Sequence, residues 1–371
     1  MRHSLIALIG TALVCAGGFT ARADAPTIHI ALTSPITGDY AEYGVNFKRS
    51  VEMGIDEINA KGGVLGKKFV LSVGDSKGDP KESANLAMKW TSDPTVFAQI
   101  GDFTSSCCMA SQPIYNRAGM IQLSPTASAT KFTPGSKWSF SIVGPQIYEQ
   151  PVMADLAKNK LKLKTIAVLY INNDWGMDTQ KFFKADFEQA GGKVVALESF
   201  FQGDKDFTAV LTKLKQAKPD ALYIATMYND AAMISQQREK MGWNLPVLGP
   251  SSLYSTQLVA LGGSSVNGLY TDVSFFTKDP DPRIQAYVTG FQKRYGAVPN
   301  FHAALAYDSI YILADAIKRA GSLDKNAVRD ALAATKNFMG QTGSITFTAD
   351  RDAKKSYKIV QVVNGDFQLM K

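Results

Sequence analysis

Short apolar runs alternate with longer segments of helical periodicity from about residue 27 onward. This alternation is typical of parallel β-sheets whose strands are connected by helices packed on the sheet. The pattern predicts a first set of strands at 27–32, 69–74, 97–101 and 120–123, with helices at 43–60, 80–90 and 106–118. It predicts a second set of strands at 165–171, 193–198, 221–226 and 246–248, with helices at 175–190, 207–216 and 230–241. The chain is therefore predicted to be an α/β protein with two doubly wound parallel sheets.

The two sets resemble each other, because the first helix of each is followed by paired glycines, at 62–63 and 191–192. Glycine just beyond a helix adopts the left-handed conformation that ends it. The remaining chain predicts a strand at 267–276, helices at 283–295, 302–319 and 326–334, and strands at 344–348 and 357–363. These elements are too few for a third domain, so we expect them to be shared between two lobes. The chain would then cross between the lobes more than once, forming a hinge with a cleft that opens and closes.

The first 23 residues have the features of a secretory signal peptide. Arg2 and His3 precede an apolar run at 4–19, and Ala21 and Ala23 supply the small residues that a signal peptidase reads, so cleavage is predicted before Asp24. A retained membrane anchor is the less favoured alternative. No later stretch has the roughly 18–20 consecutive apolar residues that a membrane span needs. The sequence thus predicts an exported, soluble protein.

Charge and cysteine content exclude some classes of function. The formal net charge of +7 is spread along the chain, which is compatible with a small anionic ligand but does not indicate a nucleic-acid partner. Cys107 and Cys108 are adjacent and have no distant partner apart from Cys15 in the predicted signal peptide. They are interpreted as two small packing residues, with a reactive thiol pair as the alternative.

Nothing in the sequence indicates catalysis, a cofactor or a metal. Beyond the predicted signal peptide the only histidines are His29 and His302, too few for a histidine metal site, and no Gly-x-Ser-x-Gly motif occurs. Residues 62–67 resemble a phosphate-binding loop, but the spacing is short and the segment follows a helix where the motif should follow a strand. His302 is interpreted as a cleft-lining or packing residue.

Polar residues follow two predicted strands of the first set. Residues 102–106 come after the strand at 97–101, and residues 124–128 come after the strand at 120–123. In an open parallel sheet such turns line the crevice where ligands bind. Hydroxyls and free N–H groups at a helix start favour an anion such as a carboxylate. The alternative is that Ser105 and Ser128 only cap helices.

Motifs along the whole of the chain after residue 23 closely resemble those of the branched-chain amino acid-binding proteins of bacterial ABC importers. They are Ser-Pro-Ile-Thr-Gly at 34–38, Ala-Glu-Tyr-Gly at 41–44, the segment 57–66, Asp75, Asp79, Pro80, Gly101, Ser105, Ser-Pro-Thr-Ala at 124–127, Pro219, Asp220, Pro299, Ala303, Tyr307, Asp308 and Ala-Gly-Ser at 320–322. The resemblance implies a type I periplasmic binding fold with three hinge crossovers. We expect residues 24–145 and 277–343 in lobe 1, and residues 146–276 and 344–371 in lobe 2.

The resemblance also implies a ligand site between the lobes. Ser105 would bind the ligand carboxylate with its hydroxyl, Ala127 and Ser128 would add backbone N–H and hydroxyl groups, and the Thr126 carbonyl would accept from a ligand ammonium. The expected walls of the pocket are Tyr43 from lobe 1, with Trp175 and Tyr228 from lobe 2.

The sequence departs from this family where the ligand ammonium is bound. Relatives have a glutamate after Gly-Pro in lobe 2, whereas Ser251 follows Gly249 and Pro250 here. Either Asp230 replaces that glutamate, or the ligand is an aromatic or other organic acid without an amino group. The resemblance implies a periplasmic, monomeric solute-binding protein that delivers a branched-chain or other hydrophobic amino acid to an ABC permease. A periplasmic ligand sensor is the other alternative.

Overall fold

The structure is a computed structural model that describes residues 27–370, so the predicted signal peptide lies outside the described residues. The strands of this part are β1 (Thr27–Ser34), β2 (Lys68–Asp75), β3 (Val96–Gly101), β4 (Ile121–Ser124), β5 (Ser139–Ser141), β6 (Thr165–Ile171), β7 (Lys193–Phe200), β8 (Ala221–Ala225), β9 (Val247–Leu248), β10 (Tyr270–Val273), β11 (Phe338–Gly340), β12 (Gly343–Ile345), β13 (Lys358–Val363) and β14 (Asp366–Leu369). The helices are α1 (Ala41–Ala60), α2 (Pro80–Ser92), α3 (Ser105–Ala118), α4 (Gln146–Asp155), α5 (Asp174–Gln189), α6 (Thr208–Gln216), α7 (Tyr228–Lys240), α8 (Thr256–Gly262), α9 (Pro282–Tyr295), α10 (Phe301–Ala320) and α11 (Lys325–Ala333). Within residues 27–370, no helix combines the length and the apolar character that a bilayer span requires.

The first lobe is built on a five-stranded parallel sheet in the order β2-β1-β3-β4-β5. Its central strand β3 is buried along its whole length, as expected for a parallel strand covered on both faces. Helices α1, α2 and α3 connect its strands, and α10 packs against both α1 and β3. This lobe therefore combines the first predicted set of elements with helices from late in the chain.

The second lobe contains a seven-stranded sheet in the order β14-β13-β10-β9-β8-β6-β7. The pairs from β7 to β10 are parallel, whereas β13 and β14 are antiparallel additions at one edge. Helices α4 and α5 pack against each other beside this sheet, as do α7 and α8. The predicted α/β class with two doubly wound lobes is confirmed. The sequence pattern missed the antiparallel character of this edge and several short elements, among them β5, α4 and α8.

The chain passes between the two sheets three times, at residues 142–145, 274–281 and 354–357. The expected lobe boundary differs at the third crossover. Strand β12 pairs with β11 in a hairpin, so it does not reach the second sheet. The Phe347 ring packs edge-on against that of Phe140, and the Ala353 N–H donates to the Ser141 carbonyl at 3.0 Å. Residues 344–353, which we expected in lobe 2, therefore lie with lobe 1.

The similarity between the two lobes, predicted from the paired glycines after α1 and α5, is also present at the start of these two helices. Gly44 in α1 and Gly176 in α5 each pack directly on the backbone that leads out of the preceding strand. A Cβ atom would lie 1.9 Å from the Pro35 oxygen in one lobe and 2.0 Å from the Ile171 oxygen in the other. The aromatic residue before each glycine, Tyr43 or Trp175, is thereby placed at the corresponding point of each lobe. Both points face the space between the lobes.

Candidate ligand-binding cleft

A cleft with about 460 Å³ of empty space, counted up to its open mouth, lies between the lobes. Both lobes contribute residues to its walls, so a molecule bound here would contact both. The lining residues are Phe103, Thr104, Ser105, Thr126, Ser128, Val143, Gln146, Glu149, Asn173, Trp175, Met227, Ser251, Ser252, Phe301 and His302.

Helix starts make up much of the wall. Thr104 caps α3 by accepting from the Cys107 N–H at 3.2 Å, and Asn173 caps α5 by accepting from the Gly176 N–H at 2.8 Å. Helix α10 also begins at the cleft, with Phe301 and His302 in its first turn. The start of a helix carries a partial positive charge. The cleft therefore favours a negatively charged group although none of its described lining residues is a lysine or an arginine.

The two polar turns that the sequence predicted to be adjacent do meet. The Ser105 Oγ accepts from the N–H groups of Ser128 and Ala129, both at 3.1 Å. The Thr126 hydroxyl donates to the Phe103 carbonyl at 2.7 Å, which ties the second turn to the first. Since the oxygen of Ser105 already accepts two bonds, its own proton is oriented to donate elsewhere. Ser105, Thr126 and Ser128 all line the cleft.

Ala127 does not line the cleft, contrary to its predicted role. Its side chain packs in a small apolar cluster with Cys108 and Phe132, and its N–H donates to the Ser124 hydroxyl at 2.9 Å. The Ser128 N–H is likewise satisfied, by Ser105. The backbone amides of this turn therefore hold the turn together, and the hydroxyls are the groups left for a ligand.

Tyr43 and Tyr228 connect the lobes and do not line the cleft. The Tyr43 hydroxyl donates to the Ser252 carbonyl at 3.0 Å and accepts from the Tyr228 N–H at 3.2 Å. The aromatic wall expected from Tyr43 is instead Phe103, which stacks on Tyr43 with ring centroids 4.2 Å apart. Met227 takes the lining position that was predicted for Tyr228, one residue further along. The helix start at Tyr228 turns neighbouring side chains in different directions, which sequence alone could not reveal.

The two lobes make further hydrogen bonds with each other beyond those of Tyr43. The Ser106 hydroxyl donates to Asp174 at 2.8 Å, and the N–H and hydroxyl of Thr130 both donate to Asp178 at 2.7 Å. Helices α3 and α5 thus approach each other beside the cleft. The lobes are in a closed arrangement.

Asp230 lies outside the cleft, so the expectation that it replaces the missing glutamate is wrong in this arrangement. It is buried in α7 and accepts from the Thr226 hydroxyl at 2.9 Å. Burial raises the pKa of its carboxyl group to about 6. Trp175 and Ser251, by contrast, are where the sequence predicted them, in the second-lobe wall.

Sequence reasoning missed the residues that α4 contributes, above all Gln146 and Glu149. Glu149 is only 2 % exposed; its carboxylate accepts from the Ser251 N–H at 2.8 Å and from the Gln146 side-chain amide at 2.6 Å. The same amide donates to the Ser128 hydroxyl at 2.9 Å. Gln146 therefore bridges the polar turn of lobe 1 and the carboxylate of lobe 2. The signal that could have found these residues is a Gln-x-x-Glu spacing within one helix, but Pro151 concealed that helix.

His302 lines the cleft as a neutral ring. Burial lowers the pKa of its imidazole to about 3, so it carries no charge near neutral pH. Its ring packs edge-on against those of Tyr43 and Phe103, and its Nδ1 atom has no hydrogen-bond partner within residues 27–370. It can thus offer a hydrogen bond to a ligand without adding charge.

The cysteine pair behaves as packing residues. Cys107 and Cys108 are both buried and unbonded to each other, and burial raises the pKa of each thiol. The alternative of a reactive pair with a lowered pKa is therefore wrong. Across the described residues no group of three or more His, Cys, Asp or Glu side chains could hold a metal ion.

Two α/β lobes, three crossovers and a polar cleft between the lobes define the class of two-lobed solute-binding proteins with the type I periplasmic binding fold. The sequence profile of the periplasmic binding protein family matches residues 27–366, and the chain belongs to that family. The family resemblance predicted from the motifs is confirmed.

Several characterised proteins are similar along nearly the whole chain. The leucine-, isoleucine-, valine-, threonine- and alanine-binding protein of Pseudomonas aeruginosa is 29 % identical over 344 residues, covering 92 % of this chain and 91 % of that protein. The crystal structure of the leucine-binding protein LivK of Thermotoga maritima matches with a TM-score of 0.88 and 28 % identity, covering 93 % and 98 % of the two chains. The substrate-binding protein LivJ of Streptococcus pneumoniae, solved with isoleucine, matches with a TM-score of 0.87 and 28 % identity, covering 93 % and 99 %.

Proposed function

We propose that this protein is the periplasmic solute-binding component of an ABC importer and that it binds a small carboxylate-bearing solute, a branched-chain or other hydrophobic amino acid. One observation carries the proposal: residues of both lobes line a single cleft in which the Ser105 hydroxyl and several helix starts favour an anion, and among the described lining residues Glu149 is the only charged side chain. The names of the relatives and of the structural neighbours support the solute class.

Binding would work by closing the hinge. The ligand carboxylate first contacts the hydroxyls of Ser105 and Ser128 on lobe 1. Trp175 and the Ser251 turn of lobe 2 then cover it. Because these contacts exist only when the lobes are together, the ligand shifts an existing open–closed equilibrium toward the closed form. The closed form would then be the one that the membrane permease recognises.

A thermal-shift panel followed by calorimetry tests this function. The panel contains the twenty amino acids, their 2-oxo acids, benzoate-type acids, and the carboxamide of each ligand that binds. We expect at least one carboxylate-bearing solute to raise the melting temperature and its carboxamide to bind much more weakly. Equal binding of acid and carboxamide would contradict the anion site at Ser105.

One alternative concerns the ligand class and the other concerns the role of the protein. Ser251 stands where the family resemblance implies a glutamate that binds the ligand ammonium, which favours an organic acid without an amino group; the panel separates this ligand class from amino acids. A periplasmic sensor would use the same cleft. Neighbouring permease and ATPase genes would favour transport, and a neighbouring sensor kinase gene would favour sensing.

Export and oligomeric state belong to the same proposal. Cleavage before Asp24 would release a monomer into the periplasm. Mass spectrometry of the protein purified from periplasmic extract would locate the cleavage site, and light scattering would give its mass in solution.

A further inference from the structure

Glu149 is the only charged side chain among the described residues that line the cleft. It is almost completely buried, and each of its two oxygens accepts one hydrogen bond, from the Ser251 N–H and from the Gln146 amide. A carboxylate can accept about four hydrogen bonds, so capacity remains on the cleft side. A buried carboxylate beside an empty space is costly unless a cation neutralises it.

A second carboxyl group lies behind Glu149 and does not neutralise it. Asp272 on β10 is fully buried, and neither of its oxygens has a hydrogen-bond partner in the described part of the chain. Burial, together with the nearby charge of Glu149, raises the pKa of Asp272 well above its usual value. Burial thus favours the neutral form of Asp272, and of the two carboxyl groups only that of Glu149 lines the cleft in the described residues.

The cleft thus has two poles with opposite preferences. Helix starts and hydroxyls on lobe 1 favour an anion, and Glu149 on lobe 2 favours a cation. Gln146 bridges the two poles, since its amide donates to both Ser128 and Glu149, at 2.9 and 2.6 Å. The poles are therefore separated by about one amide group, which suits a molecule whose carboxylate and ammonium are attached to the same carbon.

We propose that Glu149 is the acceptor for the ligand's ammonium group and that it selects α-amino acids over acids that lack an amino group. This inference rests on the proposed function and deepens it. A simple carboxylic acid would enter the cleft beside an unneutralised carboxylate, and repulsion would oppose its binding. An α-amino acid would neutralise Glu149 and at the same time contact both lobes. Glu149 would thereby take the role that Ser251 cannot fill.

Isothermal calorimetry on the full mature protein tests this inference. The probes are the L-amino acid that gives the largest wild-type thermal shift and its 2-oxo acid. Glu149→Gln keeps the shape and the acceptor for the Ser251 N–H but removes the charge. We expect this variant to bind the amino acid at least about 30-fold more weakly, while its affinity for the 2-oxo acid stays the same or rises.

Two further variants separate the charge from the fold. Asp272→Asn imitates a protonated Asp272, so amino-acid affinity should stay within about threefold of wild type. Glu57→Gln is the matched control, because Glu57 accepts from Tyr307 and Tyr311 within lobe 1, is not among the residues that line the cleft, and should leave both affinities unchanged.

Several results would overturn the role of Glu149. One is that Glu149→Gln loses affinity for the amino acid and for its 2-oxo acid to the same extent. Another is that Asp272→Asn loses as much affinity for the amino acid as Glu149→Gln does. A third is a wild-type protein that is stabilised by benzoate-type or 2-oxo acids and by no amino acid. That last result would leave the proposed solute-binding function intact, whereas a protein that no carboxylate stabilises would refute both.

Discussion

Tyr43→Phe should weaken ligand binding without weakening lobe 1, because the Tyr43 hydroxyl bonds only across the closed cleft. It donates to the Ser252 carbonyl at 3.0 Å and accepts from the Tyr228 N–H at 3.2 Å, both in lobe 2. When the lobes separate, water replaces both bonds. The substitution therefore raises the free energy of the closed form and leaves the open form nearly unchanged.

The expected magnitude follows from these two bonds. A buried intramolecular hydrogen bond contributes about 0.5–1.5 kcal/mol net, and an unsatisfied buried donor costs about 1–3 kcal/mol. Loss of both bonds should therefore destabilise the closed form by about 1–3 kcal/mol. Because binding includes closure, the dissociation constant of the bound amino acid should rise about 5- to 150-fold.

Tyr287→Phe is the matched control for this experiment. Tyr287 is equally buried, but its hydroxyl pairs with Ser50 at 3.0 Å within lobe 1, so that bond exists in the open and closed forms alike. Calorimetry should show weaker binding for Tyr43→Phe only, and thermal unfolding without ligand should show lower stability for Tyr287→Phe. Unchanged affinity in Tyr43→Phe, or equal loss in both variants, would refute the role of Tyr43 in closure.

Three further substitutions separate the cleft from its surroundings. Ser105→Ala should weaken binding of the carboxylate ligand by about 1–3 kcal/mol in calorimetry, since it loses a hydrogen bond to a charged group; unchanged affinity would mean that Ser105 is only structural. Trp175→Ala should weaken binding at least about tenfold while the circular dichroism spectrum stays native, and an unfolded variant would instead assign the indole to the core. Asp230→Asn should leave affinity unchanged and alter the pH dependence of unfolding. With its pKa raised from 3.8 to about 6, Asp230 contributes stability that is complete below pH 3.8 and is lost as the pH rises through 6. In denaturant titrations the variant should therefore match the wild type near pH 4 and be more stable by up to about 3 kcal/mol above pH 6. If the free energies of unfolding of the two proteins differ by the same amount at every pH, the pKa of Asp230 is not raised.

The site could be predicted only in part from sequence. Ser105, Thr126 and Ser128 were found because they follow buried parallel strands, whose carboxyl ends meet at one edge of a sheet. Trp175 and Ser251 were found through the family resemblance. Ala127 and Tyr228 were misplaced by a single position, because adjacent residues in a turn or helix start point in different directions.

Helix α4 shows why the other residues of the site could not be predicted from the sequence. Its 10 residues include Pro151 in the interior and polar side chains at Gln146, Glu149 and Gln150, which favour neither a strand nor a buried helix. The helix is stable because it packs against α5, and its own sequence does not predict that contact. Glu149, the only charged residue among the described residues that line the cleft, was missed with it.

By itself the sequence determined the α/β class, the two sets of strands and helices, the likeness between them and the polar turns after β3 and β4. These features depend on periodicity and on the residues next to them in the chain, which are local properties. Only the tertiary structure decided that Glu149 faces Ser128 through Gln146, that Tyr43 bonds across the lobes, and that Asp230 lies outside the cleft. Those relations depend on how segments 18 to 209 residues apart are packed. Burial by such distant segments also raises the pKa of the Asp230 and Asp272 carboxyl groups, since the cost of burying a charge depends on what surrounds it.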